Sequence, residues 1–314
     1  MTKIRANGID IEYETFGPQD GIPFLLIHGF AQQLIAWAPE FIEGLTKNGL
    51  HVITFDNRDI GLAKKWDGQI PDFAAITAAM RKGRKPVVPY TLNDMAADAV
   101  GLLDALDIES AHICGASMGG QITQIVGMDH PKKARSLIPF ITTTSDTDLP
   151  PASAEAQAAI GSYLTSDAQL AAEDRGTVVA LALKRWRVWA STAWPFDEAR
   201  MADQVGRGYD RCYYPQGLLR QWSALLASPP RGRRLQKVKL PALVMHGSAD
   251  ILVPPQHGRR VAASIPGSEY HEIEGWGHDM PLGVIPLLHG FILPFVKGVE
   301  AERRGMWSWF SRRR

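Results

Sequence analysis

Apolar and polar positions alternate over residues 11–16 (IEYETF), the period of a half-buried strand, and Asn7-Gly8 supplies a turn back to a short partner at 3–6. Two unbroken apolar runs, 23–27 (PFLLI) and 51–55 (HVITF), fit central strands. Between them Leu34, Trp37, Phe41, Ile42 and Leu45 recur at helical spacing. The pattern then predicts an amphipathic helix over 94–106 and a strand over 111–115. A helix follows from just after Ser117 to about Asp129, closed by Pro131, and then a strand over 136–141. Strands alternating with helices imply a mostly parallel sheet covered on both faces.

The alternation breaks near Thr142. From there to about Lys239 strand signals are missing and helical runs take over, as at 177–190 and 217–227. Strands resume at 242–246 and 270–273, and a last helix covers 286–299. A helical block between two strands of one sheet predicts a cap at 143–239 on a core made of 1–142 and 240–314. The 59–90 segment is long for a strand–helix connection and carries Lys64, Lys65, Arg81, Lys82, Arg84 and Lys85. It reads as a solvated loop with a helix, or as a contact for an anionic substrate. The end of the chain, RRGMWSWFSRRR, sets Trp307, Trp309 and Phe310 among arginines, as a packed or frayed terminus or an interfacial anchor. No internal repeat is visible.

Composition narrows the functional classes. The 314 residues are 45% hydrophobic and 21% charged, ordinary for a globular protein with a large core. A net charge of +1 supplies no global field for nucleic acid. Two cysteines, Cys114 and Cys212, make no disulfide framework, and Cys114 in its apolar run reads as a small buried hydrophobe. Neither a signal-peptide core nor a run approaching about 18 apolar residues is evident, so a cytoplasmic protein without a membrane span is expected.

Candidate chemistry centres on residues 113–121 (ICGASMGGQ), where small residues crowd around Ser117 at a strand-to-helix turn. Gly115-Ala116-Ser117-Met118-Gly119 fits G-x-S-x-G. A serine on so sharp a turn is strained, and its neighbours two before and two after must be small. Ser117 is therefore the candidate nucleophile, and it needs a base. Of nine histidines, His278 in GWGHD follows the last strand on a glycine-freed loop. His28, before Gly29, is expected to support its own loop; His112, His246 and His271 lie in strands. The acid that orients the base is expected at Asp250, directly after a buried strand, with Asp146 as the alternative. Backbone N–H donors for the oxyanion are assigned by position to Phe30 and Met118. No metal cluster, nucleotide-binding loop or cofactor lysine is recognisable, so neither metal nor cofactor is expected.

With LLIHGF (25–30), TFDNRDIGLA (54–63), LNDMAADAVGLLDALDI (92–108), CGASMGG (114–120), YYPQGLLRQWSALLAS (213–228), VMHGSADILVP (244–254) and GWGHDMP (275–281), the chain resembles the α/β-hydrolase superfamily. In particular it is similar to bacterial capped serine esterases of the aclacinomycin-methylesterase-like type. The resemblance implies an eight-stranded, mostly parallel sheet with the cap after the sixth strand, and Ser117, Asp250 and His278 as a triad. Ala63 departs from the serine that many relatives carry there.

The expected activity is hydrolysis of a small to medium hydrophobic carboxylic ester by a monomer or homodimer that binds no nucleic acid. Trp186, Trp189, Trp194 and Trp222 are candidate substrate-binding rings, although the spacing of the first two also suits packing of the cap onto the core. Two alternatives keep the same serine: a lactonase, and a carbon–carbon hydrolase for diketones, which would need an arginine such as Arg185, Arg187 or Arg220 for a substrate carboxylate. A non-catalytic ligand-binding protein on this fold is the alternative from outside enzymology.

Overall fold

Along the third strand Leu25 and Ile27 face one way and Phe24 and Leu26 the other, and all four are fully buried in two separate apolar clusters. Period-two alternation thus gives this strand two cores, as a sheet with helices on both faces requires. A computed structural model of the chain describes residues 2–162 and 174–311, with side chains as far as residue 305.

Eight strands form one sheet: β1 (Thr2–Ala6), β2 (Ile9–Phe16), β3 (Ile22–Ile27), β4 (Leu50–Phe55), β5 (Ala111–Ala116), β6 (Ala134–Phe140), β7 (Leu243–Gly247) and β8 (Glu269–Ile273). Their order is β1-β2-β4-β3-β5-β6-β7-β8. β1 and β2 pair antiparallel, as do β2 and β4; the remaining pairs are parallel. On one face pack α3 (Leu92–Ala105) and α4 (Met118–Asp129), with Val261 of α10 (Pro255–Ser264). On the other lie α1 (Pro39–Thr46) and α11 (Ile285–Ser311). Between α1 and α3 the 59–90 segment carries one helix, α2 (Phe73–Arg81). Between β6 and β7 run α5 (Ala154–Gly161), α6 (Arg175–Val188), α7 (Glu198–Arg211), α8 (Gln216–Leu226) and the short α9 (Gly232–Leu235).

Two expectations are corrected. The helical spacing from Leu34 to Leu45 is not one helix: a 3-10 turn at Leu34–Ala36 stops, Trp37 and Ala38 are extended, and α1 begins at Pro39. Proline disfavours helical geometry in the residue before it and suits the first helical position. Secondly, the stretch Leu282–Gly305 is long and apolar enough to cross a membrane by length and composition. In the fold, however, Ile285, Leu288, Ile292, Phe295, Val296 and Val299 form a helical stripe buried against the sheet. Trp307, Trp309 and Phe310 have side chains outside the described residues.

The TFDNRDIGLA stretch serves as scaffolding. Asp56 accepts the backbone N–H groups of Leu34 and Leu62 at 2.8 Å each, and Arg211 of α7 pairs with it at 2.8 Å. Arg58 forks onto Asp98 at 2.6 and 2.7 Å. Asp59 takes a two-pronged bond from the buried Arg220 of α8, at 2.8 and 2.9 Å. Three charged side chains at one turn after β4 therefore anchor the turn to α3 and to two helices of the 143–239 segment.

Candidate active site

Ser117 sits between β5 and α4 with φ 53° and ψ −115°, a conformation costing of order 1–3 kcal/mol for a residue with a side chain. Its surroundings enforce that bend. The Ser117 N–H donates to the Phe140 carbonyl at 3.0 Å, and its own carbonyl accepts from Thr142 Oγ1 at 2.6 Å. A Cβ on Gly115 would lie 2.2 Å from the Gly119 carbonyl oxygen, and one on Gly119 2.0 Å from that of Ile27. The two motif glycines are thus required by backbone contact. Gly29 passes so close that an added Cβ would stand 3.2 Å from Ser117 Cβ.

The loops after β7 and β8 bring the acid and the imidazole to this turn. Asp250 is buried; its Oδ1 accepts the N–H groups of Leu252 and Val253 at 3.0 and 2.8 Å. Its Oδ2 lies 2.6 Å from His278 Nδ1. His278 Nε2 lies 3.0 Å from Ser117 Oγ. An ionised carboxylate can only accept, so Nδ1 carries the proton and Nε2 is left as the acceptor for the serine hydroxyl. Burial pushes the Asp250 carboxyl up, but the charge of His278 and hydrogen bonds from His246 and His278 outweigh it. They hold the group well below the usual carboxylate range. Asp146, the alternative acid, instead accepts from the Gly232 N–H at 3.2 Å and from Arg260 at 3.0 Å.

Phe30 lines the cavity beside Ser117, and Met118 opens α4 with its side chain in the core. Gln121, in the same turn of α4, was not singled out from the sequence. It also lines the cavity, and its Oε1 accepts from the buried Arg231 at 2.7 Å. His28 stacks on Trp37, in keeping with a supporting role. Gln121 closes the serine stretch 113–121 and is one helical turn from Ser117, whereas Trp37 has no motif around it and only the fold brings it to the site.

Above Ser117 the cavity measures about 600 Å³. Trp186, Trp189 and Trp222 line it; Trp194 does not. The Trp194 ring packs where a Cβ on Gly283 would stand, 2.1 Å from its ring atoms, against the core on the α11 side. That candidate is therefore corrected: Trp194 follows the turn out of α6 and faces the core. A smaller chamber of about 170 Å³ shares Trp186 with the large one and is lined by Arg185. Arg220 is committed to Asp59 and Arg187 is paired with Glu198. Among the described lining residues of the large cavity the one arginine is Arg200, which forks onto Glu40 at 2.8 and 2.5 Å. None of the six basic residues of the 59–90 segment lines it, so the anionic-contact reading of that segment has no support at this cavity.

A strained serine at a strand–helix elbow, an imidazole and a buried aspartate on successive loops define the site class of the α/β-hydrolase fold. Residues 22–282 match the family model described as alpha/beta hydrolase fold, and the chain belongs to that family. It is 28% identical over 290 residues to rhodomycin D methylesterase DnrP of Streptomyces peucetius, covering 86% of this chain and 89% of that one. Two solved structures share the fold. The enol-lactonase of Burkholderia xenovorans LB400 has a TM-score of 0.71 at 20% identity, covering 94% of this chain and all (100%) of the other. A meta-cleavage product hydrolase of Pseudomonas fluorescens IP01 has a TM-score of 0.72 at 18% identity, covering 95% and 98%.

Proposed function

We propose that the protein hydrolyses carboxylic esters through an acyl-enzyme on Ser117. The observation that carries this reading is the continuous chain Ser117 Oγ–His278 Nε2 (3.0 Å) and His278 Nδ1–Asp250 Oδ2 (2.6 Å) at the floor of an aromatic cavity. Ser117 Oγ attacks the ester carbonyl while its proton passes to His278 Nε2. The Phe30 and Met118 N–H groups take the negative charge on the carbonyl oxygen. As the intermediate collapses, the His278 proton goes to the departing alkoxide and the alcohol leaves. Water then attacks the acyl carbonyl with His278 again as base, and the second collapse returns the proton to Ser117 Oγ with release of the acid. Asp250 stays ionised throughout and stabilises the imidazolium.

The similarity to a methylesterase supports an ester as the bond cleaved, and the cavity favours a hydrophobic substrate of moderate bulk. Residues 143–239 act as a cap, since Trp186, Trp189 and Trp222 from that segment overhang the serine. Carbon–carbon hydrolysis is disfavoured. Among the described cavity residues Arg200 is already held by Glu40, leaving no free guanidinium for a substrate carboxylate. Turnover of a panel of esters, lactones and diketones, with burst release from a nitrophenyl ester, tests the reading. Absence of any ester turnover or burst overturns it.

A further inference from the structure

The loop that carries His278 does not stand alone. It runs against residues 189–193, the exit of α6, and the two segments are laced together. The His278 N–H donates to the Trp189 carbonyl at 2.7 Å, and the N–H groups of Thr192 and Ala193 donate to the Gly275 carbonyl at 2.8 and 3.1 Å. Contact is close enough that a Cβ on Gly277 would lie 2.4 Å from the Trp189 carbonyl oxygen, and one on Gly275 2.5 Å from Ala193 Cβ.

At the centre of this seam lies a buried carboxylate that the ester mechanism does not use. Asp279, next to His278, accepts the Ser191 N–H on both oxygens at 3.1 Å and the Ser191 hydroxyl on Oδ1 at 2.5 Å. Ser191 Oγ in turn accepts the Gly277 N–H at 3.0 Å. The Asp279 carbonyl accepts the Trp276 indole N–H at 2.8 Å. Each residue flanking His278 is thus tied to one serine of the cap segment. Burial alone would favour the neutral acid, and it raises the carboxyl above its ordinary value against these bonds. A buried carboxylate on a plain surface turn would be a net cost; here its acceptors are spent on one loop-to-loop junction.

We propose that Asp279 and Ser191 are positioning residues that fix the His278 imidazole through the cap segment. This rests on the serine-esterase reading above. Gly275 and Gly277 let the loop backbone press directly against residues 189–193, so the line of Nε2 toward Ser117 is set from outside the loop as well as by the bond to Asp250. A displacement of about 1 Å in a general base can cost on the order of 10²-fold in rate. Trp189 belongs to the same seam and to the cavity wall, so the loop of the base and one wall of the cavity share a single anchoring segment.

The test uses Asp279→Leu, which keeps the branching at Cγ and removes the acceptors, with Ser191→Ala and Asp279→Asn. The substrate is p-nitrophenyl acetate, whose two-carbon acyl group draws little binding on the acyl side. Asp279→Leu and Ser191→Ala are expected to lower kcat tenfold or more with KM within twofold. Asp279→Asn, which can still accept from Ser191, recovers at least half of the loss. A merely structural seam would lower the melting temperature and leave kcat of the folded variants alone. If folded Asp279→Leu keeps kcat within twofold, or raises KM with kcat unchanged, the inference is overturned. Should Asp279→Leu fail to fold, the same criteria apply to Ser191→Ala, which loses a single hydroxyl. Ser117→Ala, run in parallel, separates the two ideas. An active Ser117→Ala defeats the esterase mechanism itself, whereas an inactive one beside a normal Asp279→Leu defeats only the positioning role.

Discussion

The imidazole of His28 lies stacked on the indole of Trp37, ring centroids 4.1 Å apart and planes 26° from parallel. Burial there lowers the His28 pKa to about 3, so the ring is neutral in the folded protein at any ordinary pH. The unfolded chain protonates this histidine near its ordinary 6.5. Below that pH the unfolded state binds the extra proton, so the contribution of His28 is fully present above about 6.5 and is lost progressively as pH falls toward 3. His28→Phe keeps a ring against Trp37 and removes the titration. Melting temperatures at pH 7 and pH 4.5 should fall further apart in the wild type than in this variant, whereas equal differences would show that the ring is solvated.

Ser117→Ala should lower ester turnover by roughly 10⁴ to 10⁶, the usual cost of removing a triad nucleophile. The substitution keeps Cβ and the backbone bonds that hold the elbow, so circular dichroism and the melting temperature should be almost unchanged. Retention of more than a few per cent of activity would exclude the mechanism.

Asp250→Asn leaves the volume intact but cannot hold His278 in the right tautomer, and a loss of about 10⁴ in kcat is expected by analogy with the best-studied serine protease. Asp146→Asn should leave kcat within a few-fold and show itself in stability, because Asp146 holds Arg260 and the Gly232 N–H. The opposite ranking of the two variants would move the acid to the earlier loop.

The elbow glycines and the outer glycines of α11 should respond in opposite directions. Gly119→Ala forces a Cβ to within 2.0 Å of a main-chain oxygen, and soluble folded protein should be lost. Gly290, exposed within α11, has nothing within 4 Å of where a Cβ would stand. Gly290→Ala should therefore gain roughly 0.5–1 kcal/mol in denaturant titration, from the smaller entropy of the unfolded chain. A stable Gly119→Ala would mean that the crowding at the elbow is relieved by a small backbone shift.

What the sequence made legible was local. The elbow is written in five consecutive residues because its collisions are with its own turn and the adjacent strand. Asp250 and His278 are each marked by a buried strand before them and a loop after, so their meeting with Ser117 follows once the strands are ordered. Long-range partners left no such trace. Arg220 looked available for a substrate carboxylate, yet Asp59, 161 positions away, occupies it. The helix Glu198–Arg211 has a low overall hydrophobicity, but Met201, Ala202, Val205 and Tyr209 recur on one face behind an Asp197 cap, so this element was legible in the periodicity. Trp194 shares the cap segment with the other three rings, but the chain turns between Trp189 and Trp194, and the second ring faces the core.

That division among the tryptophans makes the last prediction specific. Trp186, Trp189 and Trp222 line the cavity over Ser117, and Trp186 meets Trp189 edge-on at 6.0 Å while Trp222 leans on Phe30 at 5.7 Å. Removing the Trp186 or Trp222 ring takes away binding to the part of the substrate remote from the carbonyl and leaves the triad in place. Such binding supports turnover of long or bulky esters and contributes little to an acetate. Trp186→Ala and Trp222→Ala should therefore lower kcat/KM progressively along an acyl series from acetate to octanoate. Trp189→Ala should add a loss on acetate as well, because the Trp189 backbone is bonded to the His278 loop and its deeply buried ring steadies that contact. Trp194→Ala, packed against Gly283, should reduce the melting temperature and leave the chain-length profile flat relative to wild type. Kinetics on the full series for each folded variant decides the matter: if Trp194→Ala changes the preferred length as much as Trp222→Ala does, the rings act only by holding the cap in place.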